Sequence, residues 1–557
     1  MFLGNEASTD MGGICNLFAK QFSNVYDETE ISEEQIDLAI KNVPAGALSV
    51  NIGELTDEDV LNGISKLKLS TKPGPDGIPA VVLIKCARAI CGPLKYIFNK
   101  SLSLAVFPER WKKSVLFPAF KKGDKRNVSN YRGVTSLSAG SKLFEILVSN
   151  ELFRAAKSYI SQDQHGFFPG RSTATNLVQF TSFCLKSMEQ GAQIDTIYTD
   201  LKSAFDKVNH RILLAKMDRL GVAANVVRWM ESYLTNRQLN VKLGTTESDP
   251  FSNYSGVPQG SNLGPLLFSI FFNDVCFAVP EGCRLVYADD FKMYWLVKTP
   301  DDCIILQQTI DIFANWCERN RLTISVNKCM VISFTRRKTM MDWNYHIGTE
   351  ILERVSVVKD LGVLLDSELN FRDHLAYTIS KANRNLGFLF RLSSEFRDPY
   401  CLRSLYFSLV RSILESAAVV WSPSHNVWVN RIEKIQAKFV RFALRFLPWQ
   451  NPDELPSYES RCRLLGMDTL QKRRKVMRTV FLAKVVVGDM NAPWILAQVD
   501  FNIIPRPLRL RLQRHRTDYA HHEPIRCMCL LFNLCYHLFD FNISIRVFYD
   551  RVTNYNF

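Results

Sequence analysis

Arg284-Leu285-Val286-Tyr287-Ala288-Asp289-Asp290-Phe291-Lys292-Met293-Tyr294-Trp295-Leu296-Val297 sets two adjacent carboxylates between two runs of β-forming residues. Extended runs broken by a tight acidic tip predict a hairpin with Asp289 and Asp290 on its turn. Neighbouring carboxylates repel each other and lose hydration when enclosed, so a folded chain keeps them in a cleft only where a cation neutralises them. An Asp-Asp pair is also common on plain surface turns, and a metal-site reading therefore needs a third acid. Tyr198-Thr199-Asp200-Leu201-Lys202-Ser203-Ala204-Phe205-Asp206 supplies one. The β-favouring Ile197, Tyr198 and Thr199 end at Asp200, the residues after it favour a helix, and an acid at a strand's C-terminal end faces the crevice where such sheets bind ligands.

Between the two acidic stretches lies Gly256-Val257-Pro258-Gln259-Gly260-Ser261-Asn262-Leu263-Gly264-Pro265, running into the apolar Leu266 to Phe272. Its glycines let a substrate approach the backbone, and Gln259 offers a donor and an acceptor to a sugar or base. Upstream, Lys112, Lys113, Lys121, Lys122, Lys125 and Arg126 surround Gly123-Asp124, with Tyr131-Arg132 beyond. A basic hairpin suits a triphosphate or a nucleic-acid backbone, and is otherwise a solvated charged loop. Gln164-His165-Gly166-Phe167 and Gly170-Arg171-Ser172-Thr173 form a polar connection before a helix starting near Thr175. Downstream, Leu322, Ile324 and Val326 predict a strand leading to Asn327-Lys328, and Lys359-Asp360-Leu361-Gly362-Val363 a turn.

Asp200, Asp289 and Asp290 could converge on two Mg²⁺ ions, which in two-metal enzymes stand ~3.5 to 4 Å apart. Mg²⁺ is hard and octahedral and takes oxygen ligands, and neither cysteine nor histidine occurs in these motifs. The chemistry such a site supports is phosphoryl transfer.

Composition bounds the rest. At 557 residues the chain is too long for one compact domain, and 47% hydrophobic with 22% charged residues excludes wholesale disorder. The net charge of +14 suggests a polyanionic partner, with a basic soluble enzyme or a membrane-surface protein as the alternatives. The 14 cysteines are scattered singly and read as reduced thiols. No apolar run approaches the ~18 to 20 residues of a membrane span, and Met1 to Glu6 lacks a signal peptide's cationic region. The expectation is a soluble intracellular protein without a membrane partner, nuclear or cytoplasmic.

Arg431 to Phe446 is the clearest amphipathic helix. Ile432, Ile435, Phe439, Phe442 and Phe446 form its apolar stripe, and Arg431, Lys434, Lys438, Arg441 and Arg445 a cationic stripe beside it. A line of positive charge one face wide can track a phosphate backbone. Further basic residues follow at Lys472, Arg473, Arg474, Lys475 and Arg478, then at Arg506, Arg509, Arg511, Arg514 and Arg516.

In order, the basic hairpin, the Asp200 motif, Pro258-Gln259-Gly260, Tyr287-Ala288-Asp289-Asp290, Lys328 and Leu361-Gly362 resemble the motif series of reverse transcriptases. Gly74-Pro75-Asp76-Gly77, Gly166-Phe167, Gly170-Arg171-Ser172-Thr173 and Gly256 to Ser261 resemble the non-LTR (LINE-type) retrotransposon branch near Jockey-like elements. The resemblance runs from about residue 55 to 480. It departs from the usual spelling at Gly133, Phe168 and Asn262. It implies an α+β right-hand polymerase with fingers, a palm built on an antiparallel sheet, and a thumb, followed by a helical C-terminal region. The divisions expected are 1–54 (N-terminal extension), 55–370 (fingers and palm), 371–450 (thumb) and 451–557 (basic C-terminal region). The resemblance also implies Asp200, Asp289 and Asp290 as ligands of two Mg²⁺ ions and Phe205 as a steric gate against a ribose 2′-OH. Gln259 and Gly260 would line the incoming nucleotide, Lys121 and Arg132 would face triphosphate or template, and Lys328 would act as general acid. The implied activity is copying RNA into DNA from a DNA 3′ end, with template RNA, primer or target DNA and deoxynucleoside triphosphates as partners. The endonuclease of such elements is expected on another or a longer chain. The alternative is a degenerate or domesticated copy that binds RNA without polymerising; a viral RNA-dependent RNA polymerase is disfavoured by Phe205.

Overall fold

The structure, a computed structural model, describes all residues except 394, 447–455, 502–508 and 556. Arg506 and the expected boundary at 450/451 lie outside the described residues. Helix α1 (Met11–Ser23) starts at Asp10, whose carboxylate accepts the Gly13 N–H at 2.7 Å. It buries Leu17, Phe18 and Phe22 against a small sheet. That sheet pairs β1 (Lys113–Phe120) with β2 (Tyr131–Ser136) antiparallel, Phe120 opposite Tyr131. The basic turn between them is the predicted hairpin.

Helix α2 (Thr173–Glu189) begins with a capping box between Ser172 and Thr175 and leads into β3 (Gln193–Thr199). After α3 (His210–Leu220), strand β4 (Gln238–Leu243) returns parallel to β1. Then come α4 (Gly264–Phe272), the hairpin strands β5 (Arg284–Tyr287) and β6 (Asp290–Val297), and α5 (Pro300–Arg319). Strands β7 (Met330–Phe334), β8 (Glu353–Arg354), β9 (Val357–Asp360) and β10 (Val363–Asp366) follow.

The main sheet has the order β8-β7-β3-β6-β5, antiparallel except between β7 and β8. It is buried on both faces, and the two-residue strand period assigns each side chain to one of them. Ile197, Phe291, Met293 and Val331 enter the core shared with α3, α4 and α5. Ile194, Leu285, Tyr294 and Ile332 enter a second core with α2 and the C-terminal helices. On the first side, Lys216 of α3 and Asp274 form an ion pair with no solvent exposure at 2.6 Å, and Trp316 of α5 donates to Asp274 at 3.2 Å. The second core is completed by α6 (Arg372–Leu392), α7 (Asn426–Ala443), α8 (Leu470–Val486), α9 (Pro524–Cys535) and α10 (Ile545–Asn554). The mixed α+β class is as expected.

Two local expectations are corrected. The residues after Asp200 form turns rather than a helix. Ser203 has φ +50°, and the Phe205 and Val208 carbonyls accept from Val257 and Gly256, so helical bonding starts only at His210. Leu322 to Val326 is not a ladder strand either: Thr323 O accepts from Lys202 N–H and Ser325 N–H donates to Asp200 O, which ties the segment to the loop after β3. The strand is β7, four residues past Val326.

Candidate active site

The register of the main sheet brings the three acids together. Thr199 pairs with Phe291, so one further step along each strand sets Asp200 beside Asp290, and Asp290 pairs with Tyr287 across the hairpin. Ala288 and Asp289 are the two-residue turn, and only Ala288 (φ +60°) is left-handed, the pattern of a type II′ hairpin. Burial pushes the Asp289 carboxyl above its usual range, and Asp200 adds to the shift against its own backbone N–H and Lys121. Asp290 is pushed up to about 6, first by desolvation and then by Asp289, Asp360 and Asp200. Lys292 opposes the shift. Lys328 Nζ donates to Asp200 Oδ2 at 2.8 Å.

A residue outside the expected set holds the turn. Gln164 Oε1 accepts the N–H of Ala288 at 2.9 Å and that of Gly166 at 2.8 Å. The Asp163–His165 backbone bonds to Val286 like an added strand. Arg171 braces this segment by donating to Ser161 O and Gln164 O at 2.6 and 2.7 Å, its guanidinium 3.8 Å from the Phe168 ring centre. The Gln164 to Thr173 spelling was visible in the sequence; its contact with the hairpin, over 120 residues away, was not.

On the other side of Asp200, Lys121, Arg132, Ser203, Asp206 and Gln259 line one cavity of about 240 Å³. Gln259 Nε2 donates to both oxygens of Asp206, at 2.8 and 2.9 Å. Burial raises the Asp206 carboxyl to about 6 against the opposing pull of that bond. Gly260 (φ +97°) runs so close to the Thr135 carbonyl that a Cβ would stand 3.0 Å from it. Phe205 is not among the residues lining this cavity; its ring stacks on Phe268 at 4.2 Å and meets Phe167 edge-on at 5.8 Å.

A second cavity, of about 140 Å³, lies between the acidic hairpin and the β9–β10 hairpin and includes Asp200, Asp290, Lys328 and Asp360. There Lys292 Nζ and Tyr198 OH both reach Asp360 Oδ2, at 2.6 and 2.9 Å, in a nearly dry contact. Lys292 and Asp360 were quoted in the sequence, but nothing in its local pattern couples β6 to β9.

All five cations of the predicted stripe are exposed, four on α7 and Arg445 on the 3-10 turn that ends it, while Ile432, Ile435 and Phe439 are buried. The next basic group behaves differently. Arg473 binds Glu415, Arg474 lies buried beside Glu433, and Arg478 donates to Ser422 O at 3.4 Å, so these side chains join helices. Cys529 and Cys535 are buried in the second core.

The oxygen-only donor set at the hairpin fits a hard divalent ion. As the side chains stand, no three Asp, Glu, His or Cys among the described residues form a finished ligand cage, and Asp200 is engaged by Lys328. The main sheet thus gathers three carboxylates at one end, beside a glutamine loop and a basic hairpin. Comparison with known proteins bears on what such a site serves. Residues 120–365 match the family model described as reverse transcriptase (RNA-dependent DNA polymerase). In Drosophila melanogaster, the probable RNA-directed DNA polymerase from transposon BS is 29% identical over 411 residues, covering 71% of this chain and 45% of that protein. The RNA-directed DNA polymerase from mobile element jockey is 27% identical over 421 residues, covering 72% and 45%. The probable enzyme from transposon X-element is 24% identical over 425 residues, covering 74% and 46%. Over these residues the chain is similar to RNA-directed DNA polymerases of transposons and mobile elements. It spans less than half the length of these curated relatives.

Proposed function

We propose that this chain polymerises DNA on an RNA template, extending a DNA 3′ end with deoxynucleoside triphosphates. The observation that carries this reading is the meeting of Asp200, Asp289 and Asp290 at one end of the main sheet. On this reading the main sheet is the palm, the β1–β2 sheet with the helices around it the fingers, α6 and α7 the thumb, and the described residues after 455, with α8, α9 and α10, a C-terminal region packed behind.

Asp200, Asp289 and Asp290 would hold two Mg²⁺ ions, which when bound lower the pKa of the attacking 3′-hydroxyl and neutralise charge on the leaving group. The chain's own groups do the rest. Lys121 and Arg132 hold the triphosphate by charge-assisted hydrogen bonds, and Gln259, fixed by Asp206, lines the nucleotide. The 3′-hydroxyl loses its proton to solvent, its oxygen bonds to the α-phosphorus as the bond to pyrophosphate breaks, and the Lys328 ammonium gives a proton to the departing oxygen. Phe205 acts as the gate against ribose once a nucleotide brings its sugar against the ring. The α7 stripe grips the template–primer duplex.

Primer extension on poly(rA)/oligo(dT) with Mg²⁺ tests the reading. Wild type incorporates dTTP, and Asp289→Ala loses at least ~10³-fold of the rate, the scale expected when transition-state charge loses its stabiliser. An inert wild type that still retards RNA would instead identify a copy that binds without polymerising.

A further inference from the structure

We infer that the N-terminal segment Gln21 to Asp27 is a wall of the nucleotide site, with Gln21 and Tyr26 bearing on the bound nucleotide; this rests on the polymerase reading. The cavity of Lys121, Arg132, Asp206 and Gln259 is closed on its remaining side by Gln21, Phe22, Val25 and Tyr26, from the end of α1 and the turn after it. A cationic lip, a polar floor and an aromatic wall complement a triphosphate, a sugar edge and a base.

Three observations fix the segment there. Asp27 donates its backbone N–H to Ser255 Oγ at 2.8 Å, and that hydroxyl donates to Asp206 O at 2.7 Å. The N-terminal turn is thereby stitched to the residue that fixes Gln259. Next, Phe18 and Phe22 of α1 share a core with Leu116 of β1 and with Leu239 and Val241 of β4. Finally, a Cβ at Gly133 of β2 would stand 3.1 Å from Leu116 Cδ2 and 3.4 Å from Phe22 Cδ2 of α1. Gly133, one of the positions at which the sequence departs from its family's usual spelling, leaves room for Phe22. Burial first, then Asp206, raises the Tyr26 phenol above its usual range, so Tyr26 stays a neutral donor at the cavity wall.

The test uses charge at Gln21, which is partly exposed and outside α1's buried face, so substitution leaves the packing intact. In the full chain, Gln21→Glu and Gln21→Lys are compared by steady-state extension of poly(rA)/oligo(dT) with varied dTTP. A negative charge facing the triphosphate raises KM for dTTP roughly fivefold, and a positive one lowers it, as expected for partly screened charges. The Kd for template–primer stays within about twofold, and Tyr26→Ala raises KM with kcat little changed. An active wild type whose KM ignores the sign at Gln21 overturns this inference alone. An inert wild type overturns the polymerase reading and this inference with it.

Discussion

Asp206 occupies a position that nothing in the local sequence distinguishes from a surface carboxylate, yet it is enclosed and accepts two bonds from one amide. Its carboxyl is raised to about 6, so between the ordinary value of 3.8 and about 6 the folded chain holds a proton that the unfolded chain releases. Unfolding free energy therefore falls as pH rises through that window; the penalty is absent below it and complete above it. Two pKa units set an upper bound of about 3 kcal/mol, reduced by the solvent that still reaches the group. Thermal denaturation of wild type and Asp206→Asn at pH 4 and pH 7.5 should show the variant relatively more stable at the higher pH. A difference that does not change with pH would mean that Asp206 titrates normally. The variant should also raise KM for dTTP, because an asparagine cannot present two acceptors to Gln259. The three acids at the sheet end were legible because they stand against runs of β-formers. Asp206 was not, because its burial comes from the 253–260 loop folding over it.

The acidic hairpin shows how far element-level reading reaches. Its strands follow from residue alternation and are found where the sequence puts them, while the turn sits one residue earlier than expected, at Ala288-Asp289, with Asp290 opening β6 in pairing with Tyr287; the support for that turn is long-range. Gln164 satisfies the Ala288 N–H, and Gly166 passes so close that a Cβ would lie 2.3 Å from the Ala288 nitrogen. Gly166→Ala must then displace the Tyr287-Ala288 backbone that leads into the two acids. A shift of that kind is expected to cost about 10²-fold in extension rate, since misplacement of ~1 Å does so where geometry governs the step. Gln164→Ala leaves two buried N–H groups unpaired and should lower stability by about 1–3 kcal/mol, read by denaturant melts. Gln164→Glu keeps the acceptor but adds a charge beside the acids, so it should retain fold and lose activity. If both Gln164 variants behave like wild type, the clamp is not what holds the turn. The failures at 203–209 and 322–326 share one cause: their backbone groups are taken by partners distant in sequence, which local propensity cannot register.

Over the whole molecule, basic residues divide into two populations that composition alone merges into a net charge of +14. Arg473, Arg474 and Arg478 lie along α8, which the last helices α9 and α10 pack against, and they are engaged with Glu415, Glu433 and Ser422. Arg431, Lys434, Lys438 and Arg441 of α7, and Arg445 of the turn that follows it, are exposed, and none forms an ion pair among the described residues. Glu433, the acid in that stretch, faces inward and accepts from Tyr458, Leu470 and Gln471. The stripe therefore presents an uncompensated charge, as its sequence spacing implied, whereas the α8 run resembled it in composition and differs in role. Phosphate contacts release counterions and steepen salt dependence by ~0.7–0.9 per contact in log–log slope. Lys434→Ala, Lys438→Ala and Arg441→Ala combined should lower that slope for a template–primer duplex by about 2 to 3, nearly equally for all sequences, with the melting temperature close to wild type. Arg473→Gln should do the reverse, lowering the melting temperature because the half-buried Glu415 keeps only its longer contact with Arg411, at 3.7 Å, while the salt slope stays put. Equal slopes for the triple variant and wild type would show that the duplex is gripped elsewhere and that the α7 face only stays in water.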